Sequence, residues 1–355
     1  MSWLGMAGFS LLAAWLGGNL ADSATPPRDC ASGPAHAALT IYSTTDTAVF
    51  APVLADFRRL HPDLPVCYVE LEAAPLYHRF LRESGTGTPR ADVLFSSAMD
   101  LQVKLVNDGF AMPHVSANAS ALPGWARWRD EAFGLTLEPA VMVFNQAAMH
   151  GQPLPRSRPA LLELLKSDPV RWAGRIGTYD IEKSSVGYLL ASQDARQGNE
   201  YGALLEGFGA ARIRLAQRTS ALLDRLERGE LAIGYNLLGS YARNRIAAGA
   251  KLTIVYPQDY TLALARTVVL PRDAPHPAAA HQFLEYLLSL RGQHKLTENG
   301  MPAIRAGTDG AQARLGVGDT QVGLLRPIAL GPGLLVYLDR QKRERLLASW
   351  RAALQ

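Results

Sequence analysis

Cysteine is scarce in this 355-residue chain: there are two, Cys30 and Cys67, with no C-x-x-C and no histidine at a spacing that suggests a partner. Neither thiol therefore has a metal-ligand or catalytic context, and no metal site and no cofactor are expected. Long runs of one charge are missing as well. The formal net charge is +4, but the basic residues are mostly Arg scattered among Asp and Glu, so no nucleic-acid footprint is expected. The segment Arg340 to Arg345 (RQKRER) reads as one solvated helix face. The eight histidines lack Asp, Ser or Cys partners at useful spacing, and Cys67 falls inside a strand pattern. With no nucleophile beside a base, the chain is not expected to be an enzyme, and no catalytic residue is assigned. Internal repeats and low-complexity segments are absent too.

Beyond the first twenty residues, no apolar stretch approaches the eighteen or more needed to span a membrane. Residues 1–37 form a leader, with the apolar stretch Trp3 to Leu20 followed by polar, Pro-containing Ala21 to Pro34. It departs from the usual export signal, since no Lys or Arg precedes the apolar run and the best cleavage site is Asp22-Ser23-Ala24. Arg28-Asp29 before Cys30 argues against lipid attachment there. A periplasmic protein is expected, with its leader either removed or kept as an anchor. Export would let Cys30 and Cys67 pair, and a buried strand thiol at Cys67 is the alternative.

What the sequence does hold is one design used three times. Ala91 to Gly109 (ADVLFSSAMDLQVKLVNDG) runs a short apolar strand through Ser96-Ser97 into a helix. Leu39 to Thr45 passes through Ser43, Thr44, Thr45 and Asp46 into a helix with Val49, Phe50, Val53, Leu54, Phe57 and Leu60 on its apolar face. Gly174 to Tyr188 repeats strand, polar loop and Ser-initiated helix. Each junction aims free first-turn N–H groups and a positive dipole end at a strand's carboxyl end, where ligands sit in open α/β sheets. Ordinary capping also accounts for each alone: Ser97 can be an N-cap with Asp100 as its capping-box partner.

Strand and helix alternate as in a doubly wound sheet up to Asn107-Asp108-Gly109. Phe133 to Phe144 (FGLTLEPAVMVF) is then an apolar strand interrupted by Glu138-Pro139, a proline that should not continue one sheet and can mark a crossing into a second domain. The pattern restarts at Asn145, and the apolar segment Leu262 to Leu270 reads as the return. The expected division is 38–138 plus 262–355 for one lobe and 139–261 for the other.

The ordered set IYSTTD, ADVLFSSAMDLQVKLVNDGF, LTLEPAVMVFN, GTYDIEKSSVGYLL, LAIGYNLLGSYA and IVYPQDYTL resembles the periplasmic substrate-binding proteins of bacterial ABC importers. The likeness is to the type related to ferric-ion-binding proteins and to binders of phosphorylated sugars and phosphoglycerate. It implies an α/β, two-lobed periplasmic-binding-protein fold (type II), each lobe a doubly wound sheet, with two crossing hinge strands. Glu138-Pro139 and Asp259-Tyr260 match the family's crossing segments. It also implies a monomer that holds its ligand in the interlobe cleft and presents the closed form to an inner-membrane permease, or to a sensor kinase. The adjacent tyrosine pair of the ferric-ion binders is absent, since this chain reads Tyr235-Asn236-Leu237-Leu238-Gly239-Ser240-Tyr241. Ferric ion is therefore the alternative to a small anion. The expected ligand-binding donors are Ser43, Thr44, Thr45, Ser96, Ser97, Ser184, Ser185, Asn236 and Ser240, with Tyr235. Asp46, Glu138, Asp180 and Asp259 are candidate acceptors of ligand hydroxyls, and Tyr179 and Tyr260 could stack on a sugar ring.

Overall fold

The computed structural model describes residues 39–87, 90–198, 200–308 and 324–354. Residues 1–38, the expected leader and Cys30 among them, lie outside these. The chain opens with β1 (Leu39–Ser43), α1 (Thr47–Leu60), β2 (Val66–Glu70), α2 (Ala73–Gly85), β3 (Val93–Ser96) and α3 (Met99–Asn107). A short α4 (Ala117–Ser120) and β4 (Arg127–Trp128) lead to β5 (Ala132–Gly134). The second half holds β6 (Glu138–Asn145), α5 (Arg158–Ser167), α6 (Pro169–Trp172), β7 (Ile176–Tyr179), α7 (Ser185–Asp194) and α8 (Glu200–Ala210). Next come β8 (Arg214–Ala216), α9 (Thr219–Glu227), β9 (Ile233–Leu238), α10 (Gly239–Ala247), β10 (Leu252–Val255), β11 (Thr261–Leu264) and β12 (Thr267–Val269). Two helices, α11 (Pro277–Leu288) and α12 (Leu290–Glu298), precede β13 (Leu325–Pro327) and a terminal α13 (Arg340–Leu354).

These strands make two sheets, one ordered β2-β1-β3-β12-β5-β4 and one ordered β13-β11-β6-β9-β7-β8, with β10 paired to β6. Most of the apolar face read on α1 is buried, with Phe50, Val53 and Phe57 against Leu39 and Ile41 of β1 and against Phe283 and Leu287 of α11, whereas Leu60 at its end is exposed. The second lobe has its own core around Trp172, Phe208, Tyr188 and Trp350. Burial of this kind contributes roughly 1.5–3 kcal/mol for each large side chain, which is why both lobes hold their shape.

The two crossings run side by side. Ala263 pairs with Pro139 and Leu264 with Glu138, Leu135 N–H donates to the Arg266 carbonyl at 2.9 Å, and Arg266 N–H donates to Thr136 Oγ1 at 3.0 Å. Pro139 lies inside β6, opposite Ala263 of the short β11, and does not end the strand. The return crossing falls at Ala265-Arg266, between β11 and β12, and not at Asp259-Tyr260. The terminal helix also departs from expectation. Assigned to the first lobe from the sequence, it packs Leu346 and Trp350 into the core of the second, with Arg351 paired to Glu182 at 2.5 Å.

Candidate functional site

Where the strand ends of the two sheets face each other lies a cavity of about 70 Å³. A single water needs about 10–15 Å³ by the same measure, so the cavity has room for a few waters between the two lobes. Thr44, Asp46, Glu70, Glu72 and Ser97 line it from the first lobe, and Arg266 from the hinge. Tyr179, Lys183, Ser184, Ser185, Arg218, Thr219, Ser220 and Tyr241 line it from the second.

In the first lobe the expected donors are largely committed to the protein itself. Glu70 Oε2 accepts from Thr47 N at 2.7 Å and from Thr47 Oγ1 at 2.8 Å, so a carboxylate of the chain already sits on the α1 dipole end. Thr44 Oγ1 accepts from Ser97 N at 3.1 Å and lies 3.3 Å from Ser97 Oγ, tying the β1 and β3 turns together. Ser43 Oγ accepts from Thr45 N and Ser96 Oγ from Ala98 N. Thr45 Oγ1 accepts from Arg266 Nη1 at 2.6 Å. Of the first-lobe candidates, then, Thr44, Asp46 and Ser97 face the cavity, while Ser43, Thr45 and Ser96 hold the turns beneath it.

The second lobe offers the more open donors. Ser184 caps α7, accepting from Gly187 N at 3.2 Å, and places Ser185 and Val186 at the cavity wall. Arg218 stands at the N-cap of α9 and gives no side-chain cap, so Thr219 and Ser220 bring a second helix N-terminus to the same wall. First-turn N–H groups have no partner within their own helix. Tyr179 and Thr219 hydroxyls lie 2.5 Å apart, and burial raises the Tyr179 phenol well above its ordinary value. Tyr241 is raised in the same way by burial and donates across the cleft to Asp46 Oδ1 at 3.1 Å. Arg218 also crosses the cleft, donating to Glu72 and lying 3.5 Å from Glu70.

Several expected ligand contacts stand elsewhere. Glu138 is fully buried and accepts from Arg266 Nε at 2.5 Å, Ser240 Oγ at 2.5 Å and Thr136 Oγ1 at 3.1 Å, so both Glu138 and Ser240 belong to the hinge. Asp180 accepts from Glu182 N at 3.1 Å and pairs with Lys183 at 3.0 Å, shaping its own turn. Tyr235, Asn236 and Tyr260 all donate to Asp194, at 2.9, 2.6 and 2.9 Å. Arg158 completes that buried cluster by pairing with Asp194 and with Asp259. These four sequence candidates face the interior of the second lobe because β9 turns Tyr235 toward α7, and Asn236 takes a left-handed φ of 58°.

Residues that sequence reasoning missed are Arg266, Arg218, Glu70, Glu72, Thr219, Ser220 and Tyr241. Arg218-Thr219-Ser220 is a fourth strand-to-hydroxyl-to-helix junction, hidden because β8 has only three residues. Among the described residues, no group of three or more His, Cys, Asp or Glu is placed to hold a metal ion. Cys67 is disulfide-bonded; Cys30, the partner considered for it, lies outside the described residues.

The chain belongs to the bacterial extracellular solute-binding protein family, whose model matches residues 39–302. It is 36% identical to the substrate-binding protein of an ABC transporter from Agrobacterium tumefaciens, over 92% of this chain and 96% of that one, with a TM-score of 0.84. Two more distant structures share the fold. Iron-bound HitA from Pseudomonas aeruginosa is 19% identical over 90% of this chain and 99% of that one, TM-score 0.71. The periplasmic binding protein AfuA from Actinobacillus pleuropneumoniae, with fructose-6-phosphate bound, is 16% identical over 90% and 98%, TM-score 0.74. Among curated proteins, none matches. Family and neighbours are solute-binding transport proteins, not enzymes.

Proposed function

We propose that the protein is the extracytoplasmic solute-binding component of an ABC importer and carries a small anionic solute, a phosphate ester or a carboxylate, to an inner-membrane permease. The observation that carries this reading is the convergence of two helix N-termini, α7 and α9, on one cavity wall with Ser184, Ser185, Thr219 and Ser220. Backbone N–H groups and dipole ends bind an anion with charge-assisted bonds about twice as strong as neutral ones. The anionic group therefore rests on the second lobe. Opposite it, Asp46, Glu70 and Glu72 supply acceptors for hydroxyls at the solute's other end, and Arg218 and Arg266 lie between the two walls. The likeness to AfuA with its bound fructose-6-phosphate is in keeping with such a solute.

Ferric ion is less well served, because the two cleft phenols, Tyr179 and Tyr241, are held protonated by burial and engaged by Thr219 and Asp46. Tyr235 is bound to Asp194 and Arg158, inside the second lobe. Calorimetry on matched phosphorylated and unphosphorylated solutes, with ferric citrate alongside, tests the reading. Binding of the phosphorylated member alone is expected. Equal binding of both members of every pair, or tight ferric binding, would overturn it.

A further inference from the structure

A second cavity, of about 60 Å³, opens on the other side of Ser184 and Ser185, along the seam where the lobes meet. From the first lobe it is lined by Asp100 and Leu101 at the start of α3 and by Ala74 of α2. From the second it is lined by the turn carrying Glu182 and Lys183 and by Tyr188 of α7. The C-terminal segment adds Leu338 and Arg343.

Asp100 is unusual among these groups. It is buried, and its Oδ1 has no hydrogen-bond partner. The cation that acts on it, Arg343, lies over the Tyr188 ring, 4.4 Å from the ring centroid, while the Tyr188 hydroxyl is committed to the Tyr337 carbonyl. Tyr188 and Arg343 both ride on the second lobe, Tyr188 in α7 and Arg343 in the helix that packs against α8. Parting the lobes would therefore return water to Asp100. A carboxylate taken out of water with one oxygen unpartnered is costly, and neutralising it is the cheapest remedy.

We propose that Asp100 is a proton-operated gate on lobe closure: shutting the lobes buries its carboxylate with one oxygen left unpartnered, so the closed arrangement takes up a proton and is favoured in acid. The idea rests on hinge closure and is independent of which solute is carried. The direction follows from linkage. Burial pushes Asp100 up to about 6 in the closed arrangement, against the pull of the Leu101 N–H and Arg343, and a water-facing carboxylate keeps its ordinary lower value. The closed form thus gains as pH falls through 6, and the gain is complete below the ordinary carboxylate value. Between pH about 7.5 and about 5, this amounts to roughly a tenfold rise in the closed-to-open ratio. The other charged groups facing the cavity do not titrate in that window. Arg351 holds Glu182 below its ordinary value, Asp180 holds Lys183 above its own, and burial lifts Tyr188 to about 12.

Single-molecule energy transfer between fluorophores on the two lobes of the full chain, with no solute added, counts open and closed molecules directly. In the wild type the ratio should rise about tenfold from pH about 7.5 to about 5. Asp100→Asn should close to the acid level at both pH values and lose the dependence, which separates Asp100 from histidines elsewhere in the chain. Should that variant misfold, Arg343→Gln serves in its place: without the opposing cation, the midpoint should move to higher pH. A ratio that does not change in the wild type, a rise that Asp100→Asn retains, or an Arg343→Gln midpoint that stays put or moves down overturns the proposal. Failure of phosphorylated solutes to bind would leave this result untouched, so the two readings fail separately.

Discussion

Glu138 and Arg266 form a 2.5 Å ion pair between side chains that are 0% and 1% exposed, one on each of the two segments that join the lobes. A lone charge left in such a place is costly, whereas the intact pair is close to neutral in stability. Arg266→Met should therefore destabilise the protein by about 3–5 kcal/mol, and Glu138→Gln with Arg266→Met together by distinctly less. Urea denaturation of the two variants checks this. A single substitution costing under about 1 kcal/mol would show that water reaches the hinge.

Gly187 permits the approach of α7 to β7. A Cβ there would run into the Cβ and ring of Tyr179, not into the far end of a flexible chain. Gly187→Ala should displace the α7 N-terminus and weaken solute binding at least about tenfold. Gly202→Ala, where a Cβ meets nothing within 4 Å, should leave binding alone and stabilise α8 by about 0.5–1 kcal/mol. Calorimetry and thermal melts on both variants separate the outcomes, and equal binding by the two would place the site away from α7.

Acid should weaken the first lobe through Asp56. Hydrogen bonds from Arg291, then Arg59 and Tyr286, hold its carboxyl well below the usual carboxylate range despite its burial. A lowered folded-state value means that its contribution is present above the ordinary carboxylate value and is lost as pH falls through and below it. Asp56→Asn should thus be less stable than wild type near neutral pH, with the gap narrowing in acid. Stability curves from pH about 7 to about 2 test the sign, and a gap that widens in acid would refute it.

The sequence showed the scaffold better than the site. The junctions into α1, α3 and α7 were visible because an alternating strand ends on hydroxyls and a helical apolar period follows, all of which is local. The Ser-initiated helix expected after Gly174 is α7, Ser185–Asp194. Arg266 left no such trace. It lies in the apolar stretch Leu262 to Leu270, which reads only as the return crossing, and its partner is 128 residues away. The same holds for Asp194, which looks like the ordinary end of a helix until β9 and the Tyr260 segment converge on it. Glu138 showed as a strand-end carboxylate, but its direction depends on Arg266. The terminal helix was misassigned because its partner, α8, is rich in Gly and Ala and carried no clear apolar stripe of its own.

Cys30 and Cys67 should form the protein's disulfide, stapling the N-terminal extension to β2 and contributing about 2–4 kcal/mol at most. Thiol titration of denatured, non-reduced material exported to the periplasm should find no free thiol. Two free thiols per chain would remove the staple.

The most direct test of an anion carried on the second lobe is mass spectrometry of the solute released by denaturing protein purified from its native host, with the metal content measured on the same sample. A phosphorylated or carboxylated small molecule at close to one per chain, without iron, is the predicted result. A neutral solute, or stoichiometric iron with no organic anion, would contradict it.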